Sequence, residues 1–269
     1  MQQTREKYEN GLLTIRFIGP NLMSHGVNIY DLGTSLLGIQ RLVNKAYLSI
    51  NGDLMKGRYP KRTEREFLSL TIGERKRASD AFALIPMLND PMTIQVMAKT
   101  LDWVISGVLG YGVGDVLDRL KKEKNEDRQL YIGSIHADVV NIVNRIDAAG
   151  GIREIEIGSP QLGKPTIAKF DSSSKEYINE LSGEFFLGKR QNIQGGVYRL
   201  YPNSCMVTIR RQSSRKVNIY LSQDNFDLIR FGHHDDENIL FTGRPRYKLG
   251  VEKAIITDFE ADSVTFGLQ

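Results

Sequence analysis

The sequence predicts an α+β fold, with N-terminal helices packed on a small antiparallel sheet and a small β-barrel after them. Three observations carry this. Residues 12–18 alternate apolar and polar side chains after Leu12, directly before Gly19-Pro20, the pattern of a half-buried strand ending in a turn. Residues 30–50 place Leu32, Leu36, Ile39, Leu42, Val43, Ala46 and Tyr47 at helical spacing, which gives one apolar face to lay on a sheet. Residues 185–259 break into six short apolar runs separated by turn residues, as the strands of small barrels do.

The remaining elements follow in order. Residues 66–72 and 78–85 flank the charged turn 73–77 and predict a hairpin. Residues 93–122 form the longest helical candidate, free of proline but carrying Gly107, Gly110, Gly112 and Gly114. Each glycine costs a helix about 1 kcal/mol relative to alanine, so close packing, a kink or a break is expected there. The charge run 121–128 reads as a linker and 135–149 as a helix closed by Gly150-Gly151. Strands at 152–157 and 166–170 precede a short helix reaching Leu181, with 173–176 spaced as a capping box. The barrel strands are expected at 185–187, 196–200, 205–211, 216–221, 239–242 and 253–259, with a helical stretch at 224–231. The resulting organisation is an α+β domain at 1–128, a connecting region at 129–182 and a barrel domain at 183–269.

Composition bounds the function. With 269 residues, 41% apolar and 25% charged, the chain can bury a core without metal or disulfide staples. Its single cysteine, Cys205, cannot form an internal disulfide or a thiolate zinc site. The polar start MQQTREKYENG has no apolar run behind it, so a cytoplasmic protein is expected.

Each catalytic pattern fails on spacing. His233, His234 and Asp235 offer metal-binding side chains, but consecutive residues point in different directions, so a solvated acidic turn is the expected role. Residues 158–164 match a phosphate loop up to Lys164, yet Pro165 stands where Ser or Thr must reach magnesium. No G-x-S-x-G elbow occurs, and alternation makes Cys205 a small apolar side chain. His25 and His136 stand alone. No cofactor is expected. The charge-free run 103–114 is too short to span a bilayer, where about 20 apolar residues are needed. Gly107, Gly110 and Gly114 in it are expected to mark close helix packing.

The basic groups point elsewhere. Between Leu187 and Glu260 stand twelve Lys or Arg and eight Asp or Glu, a balance equal to the +4 of the whole chain. Arg210, Arg211, Arg215 and Lys216 cluster at one hairpin turn, and Arg244, Arg246 and Lys248 line another with Tyr247 among them. Basic hairpins with aromatics on a small barrel make a platform for single-stranded nucleic acid. A second basic stretch, 56–65, reads as a surface loop or an addition to that face.

The segments IRFIGPN, YDLGTSLLGIQRLVNKAYL, FLSLTIGERKRASDAFALI, GGVYRL, RKVNIYLS and NILFTGRPRY resemble a group of uncharacterised bacterial and prophage-encoded proteins. That resemblance implies no activity, only a role in phage conflict; the final region is also similar to OB-type and SH3-type barrels. Together these readings predict a non-enzymatic cytoplasmic sensor or adaptor that binds a macromolecule: a protein partner, a second copy of itself, or nucleic acid. The alternatives are a metal-dependent hydrolase using His233, His234 and Asp235, and a membrane-acting effector exposing 103–114.

Overall fold

The computed structural model describes residues 11–20, 22–55, 58–75, 80–88, 90–147, 151–160, 163–212, 215–232, 238–250 and 256–266. The chain divides into two compact units, Met1–Glu184 with Leu249–Lys253, and Phe185–Lys248 with Ala254–Gln269.

In the first unit, β1 (Leu13–Ile18), β2 (Leu70–Arg75), β3 (Asp80–Pro86), β4 (Glu154–Ser159) and β5 (Lys164–Phe170) form one sheet in the order β2-β3-β1-β4-β5. Every pairing is antiparallel. Alternation along β1 buries Leu13, Ile15 and Phe17, which register against Leu84 and Phe82 on one side and Ile157 and Ile155 on the other. The helices are α1 (Leu22–His25), α2 (Ile29–Ile50), α3 (Arg62–Leu68), α4 (Pro91–Val113), α5 (Val116–Lys122), α6 (Glu126–Ser134), α7 (His136–Val143) and α8 (Ser172–Glu180). The apolar face predicted for residues 30–50 lets α2 pack on α4, α6 and α7, while α4 also lies on β5.

The local signals moved several boundaries. Residues 66–68, expected in a strand, end α3, because the Glu64 carboxylate accepts from the Lys61 N–H at 2.6 Å and caps a helix there. The long helix expected to Lys122 stops where Gly114 turns left-handed at φ 79, and α5 starts afresh at Val116; glycine takes that conformation without a Cβ penalty. The expected linker 121–128 instead closes α5 and opens α6, where Asn125 Oδ1 accepts from the Arg128 N–H at 3.0 Å. Asp171, rather than Ser173, caps α8 by accepting from the Ser174 N–H at 2.9 Å. Gly158 and Ser159 end β4 and Lys164 opens β5, so no helix N-terminus follows Lys164.

The glycines of α4 face neighbours at close range. A Cβ on Gly107 would stand 2.8 Å from Ile135 Cδ1 and 2.9 Å from Tyr131 Cε1. On Gly112 it would stand 2.8 Å from Ala168 Cβ and 3.1 Å from the Ala168 Cα of β5. On Gly110 it would meet Arg119 Cδ at 2.8 Å. Val104, Ile105, Val108 and Tyr111 on the same stretch are buried, and no described helix is long and apolar enough to cross a membrane.

In the second unit, β6 (Phe185–Leu187), β7 (Gln191–Tyr201), β8 (Met206–Arg210), β9 (Lys216–Tyr220), α9 (Gln223–Gly232), β10 (Asn238–Lys248) and β11 (Asp258–Phe266) follow in sequence. The strands run β11-β9-β8-β7-β10-β6, and β11 pairs with β10 as well, so five of them close into a ring. Only β9 and β11 are parallel among these pairings. The ring encloses Ile193, Val207, Ile209, Val217, Ile219, Ile239, Phe241, Phe259 and Ala261, with Phe226 and Ile229 of α9 in the same core. Each of these buried Val, Ile and Phe side chains contributes about 1.5–3 kcal/mol against exposure. Of the strand expected at 253–259, residues 253–255 lie outside the described residues, and β11 opens only at Asp258 and runs on to Phe266. Asp262 interrupts its alternation, and the register with β10 shifts at that point, between Thr242 and Gly243. A Cβ on Gly243 would stand 2.0 Å from the Glu260 carbonyl oxygen, so this crossing of β10 and β11 requires glycine.

Candidate functional site

Strand alternation sends Val207, Ile209, Val217 and Ile219 into the ring and leaves Met206, Thr208, Arg210, Lys216, Asn218 and Tyr220 on the outer face of β8 and β9, where neighbouring side chains bury Thr208. Arg210 and Lys216 stand directly opposite one another in the register. Like charges so placed destabilise a sheet. No carboxylate relieves them among the described residues; Tyr198 of β7 does. Lys216 Nζ lies 3.8 Å from the centroid of its ring and the Arg210 guanidinium 4.9 Å.

The position of Tyr198 comes from a bulge. The β7–β8 register shifts between Val197 and Arg199, and the extra residue puts the consecutive Tyr198 and Arg199 both outside, where both are exposed. Arg199 in turn reaches Tyr201, with Nη1 3.4 Å from the phenol oxygen and the guanidinium 5.8 Å from the ring. These cations draw both phenols below the ordinary tyrosine range: Lys216 bonding to Tyr198, and Arg199 bonding to Tyr201, are the leading causes.

A second aromatic–cation group sits at the junction of β6, β9 and β10. The Arg246 guanidinium lies 3.7 Å from the ring centroid of Phe185 and 4.1 Å from that of Tyr220. Stacking on two rings fixes the plane of the guanidinium and leaves its N–H edge without a carboxylate among the described residues. Tyr220 is half-buried, its phenol 3.2 Å from Asp258 Oδ1, and burial followed by the Asp258 charge holds its pKa up.

Four basic side chains, Arg199, Arg210, Lys216 and Arg246, thus lean on aromatic rings, and none of them has an acidic partner within ion-pair distance among the described residues. Elsewhere in the same unit Arg190 pairs with Asp262 at 3.3 Å, so acids are at hand where an ion pair is the outcome.

Three of the residues singled out from sequence, Arg210, Lys216 and Arg246, belong to this face. Arg211 and Arg215 close the β8–β9 turn, the Arg211 N–H donating to the Arg215 carbonyl at 2.9 Å. Arg244 registers opposite Glu260. Alternation puts Tyr247 on the other side of β10 from Arg246, against Phe186 at 5.5 Å, and Lys248 is exposed at the strand end. Cys205 is half-buried in a left-handed turn with Sγ 3.0 Å from Gln223 Oε1. His233, His234 and Asp235 lie outside the described residues; among those described, no three His, Cys, Asp or Glu side chains are grouped to hold a metal. Sequence reasoning missed Phe185, Tyr198, Arg199, Tyr201 and Tyr220. The alternation of Tyr, Arg, Leu and Tyr at 198–201 was a usable signal, but the bulge that aligns it is not visible in composition.

Comparison with family models, with characterised proteins and with solved structures gave no match.

Proposed function

We propose that the second unit is an OB-type barrel that binds single-stranded nucleic acid on the outer face of β7, β8 and β9, in a protein that acts by recognition rather than catalysis. The observation that carries the reading is the pairing of Arg199, Arg210, Lys216 and Arg246 with aromatic rings in place of carboxylates. A phosphate backbone satisfies such cations, and the exposed ring of Tyr198 beside them can stack a base of any identity. The connectivity supports it independently. Five strands ring-close in the order first, second, third, fifth, fourth, the third and fifth are parallel, and α9 connects the third to the fourth. In an OB-fold the face of the second and third strands is the one that takes oligonucleotides, and here those strands are β8 and β9. Like charge across β8 and β9, eased by the Tyr198 ring but by no carboxylate among the described residues, costs the fold stability, which is what a site kept for an anionic ligand does.

The experiment is fluorescence anisotropy with a labelled oligothymidylate of about twelve nucleotides, within the usual span of one OB-fold. Binding is expected at low salt, in preference to a duplex of equal length. Tyr198→Ala should weaken it, since one stacked base contributes about 1–3 kcal/mol by alanine substitution. Equal affinity for duplex and single strand, or no effect of Tyr198→Ala in a folded variant, would overturn the reading.

A further inference from the structure

The outer face carries one feature that phosphate binding does not explain. Register places Arg199, Thr208, Asn218 and Asp258 side by side across β7, β8, β9 and β11. Thr208 Oγ1 stands 2.9 Å from Asn218 Oδ1, and Asn218 Nδ2 stands 3.4 Å from Asp258 Oδ1. This polar row runs between the Tyr198 position and the row holding Tyr201 and Tyr220, so aromatic side chains flank it, with the Tyr220 phenol 3.2 Å from Asp258 Oδ1. An acidic side chain there repels phosphate. Asp258 therefore weakens backbone binding and contributes only where a base offers it hydrogens.

Resting on the platform reading above, we infer that Asp258 selects guanine in the bound strand. Guanine is the base whose Watson–Crick edge presents two adjacent donors, N1–H and N2–H, to the two oxygens of one carboxylate. Adenine, cytosine and thymine each present a single donor there. An ionised carboxylate has about four acceptor sites. Asp258 uses Oδ2 for the Thr257 hydroxyl at 2.8 Å, and Oδ1 for Tyr220 and Asn218 at 3.2 and 3.4 Å. The two Oδ1 contacts are long, and they are the ones a base N–H replaces.

The test uses the full chain and three oligothymidylates carrying one central guanine, adenine or hypoxanthine, with the all-thymine strand as reference. Hypoxanthine keeps N1–H and lacks the N2 amine. The guanine strand should bind roughly tenfold more tightly than the adenine strand, the scale of discrimination a bidentate contact provides, with hypoxanthine between them. Asp258→Asn should remove the guanine preference, so that the guanine and adenine strands bind alike. Equal affinity for guanine and adenine while the all-thymine strand binds would overturn the inference and leave the platform reading standing. Failure of every strand to bind would remove the platform reading itself. Should Asp258→Asn fail to fold, the wild-type comparison decides alone, since hypoxanthine binding as tightly as guanine contradicts a two-donor contact.

Discussion

Replacing Lys216 with glutamate should stabilise the fold and impair the proposed binding face in one step. Lys216 and Arg210 face each other across β8 and β9, and the substitution converts a like-charge cross-strand pair into an opposite-charge one. Each such pair is worth about 0.2–1 kcal/mol, with the sign set by the charges. Removing the repulsion and adding an attraction should gain up to about 1 kcal/mol, discounted toward the lower half because both side chains are exposed. The same change removes one cation and adds one anion at the face. Urea unfolding followed by circular dichroism reads the stability, and anisotropy with an oligothymidylate reads the binding. A midpoint that rises while affinity falls severalfold is the expected result. A lower midpoint would refute the reasoning, because it would mean that the Lys216–Tyr198 contact at 3.8 Å outweighs the repulsion and the arrangement is structural.

Gly112→Ala and Gly33→Ala make the same helix substitution with opposite expected signs in thermal unfolding. Gly33 has open space around a new Cβ, so alanine should gain up to about 1 kcal/mol of helix propensity; at Gly112 the Cβ meets β5 backbone, and overpacking of about 1–3 kcal/mol should win. His136 is buried beside Tyr111, neither ring nitrogen has a hydrogen-bond partner among the described residues, and burial lowers its pKa. The unfolded chain therefore takes up the proton first, and stability should fall as pH drops below about 6.5, by at most about 1.4 kcal/mol per pH unit. Urea midpoints at pH 7.5 and 5.5 should converge in His136→Phe relative to the wild type. At alkaline pH the lowered Tyr198 phenol ionises ahead of an ordinary tyrosine and places a negative charge in the face proposed to bind phosphate. Oligonucleotide affinity should decline as pH rises toward about 10, and Tyr198→Phe should flatten that decline.

Much of the architecture was legible because it rests on periodicity. The β1 alternation, the α2 apolar face and the excess of short strands after residue 185 each reflect burial that the residues themselves encode. Boundaries failed where a single polar contact decided them, as with Glu64 on the Lys61 N–H and Asn125 on the Arg128 N–H. The candidate face was half legible. Arg210, Lys216 and Arg246 stood out as charges, but their meaning depends on which rings they touch. That is set by the bulge at Tyr198 and by the pairing of β6 with β10, both long-range events. Tyr247, nearest to Arg246 in sequence, faces the opposite way, and Tyr220, 26 positions earlier by number, supplies the ring.

The salt dependence of oligothymidylate binding tests the central claim most directly. Four cations contacting phosphate, as proposed, predict a slope of log K against log salt near about −3, from roughly −0.7 per contact on a single strand. Arg210→Ala together with Arg246→Ala should bring the slope to about half of that. No binding at low salt, or a slope that the double substitution leaves unchanged, would contradict the account.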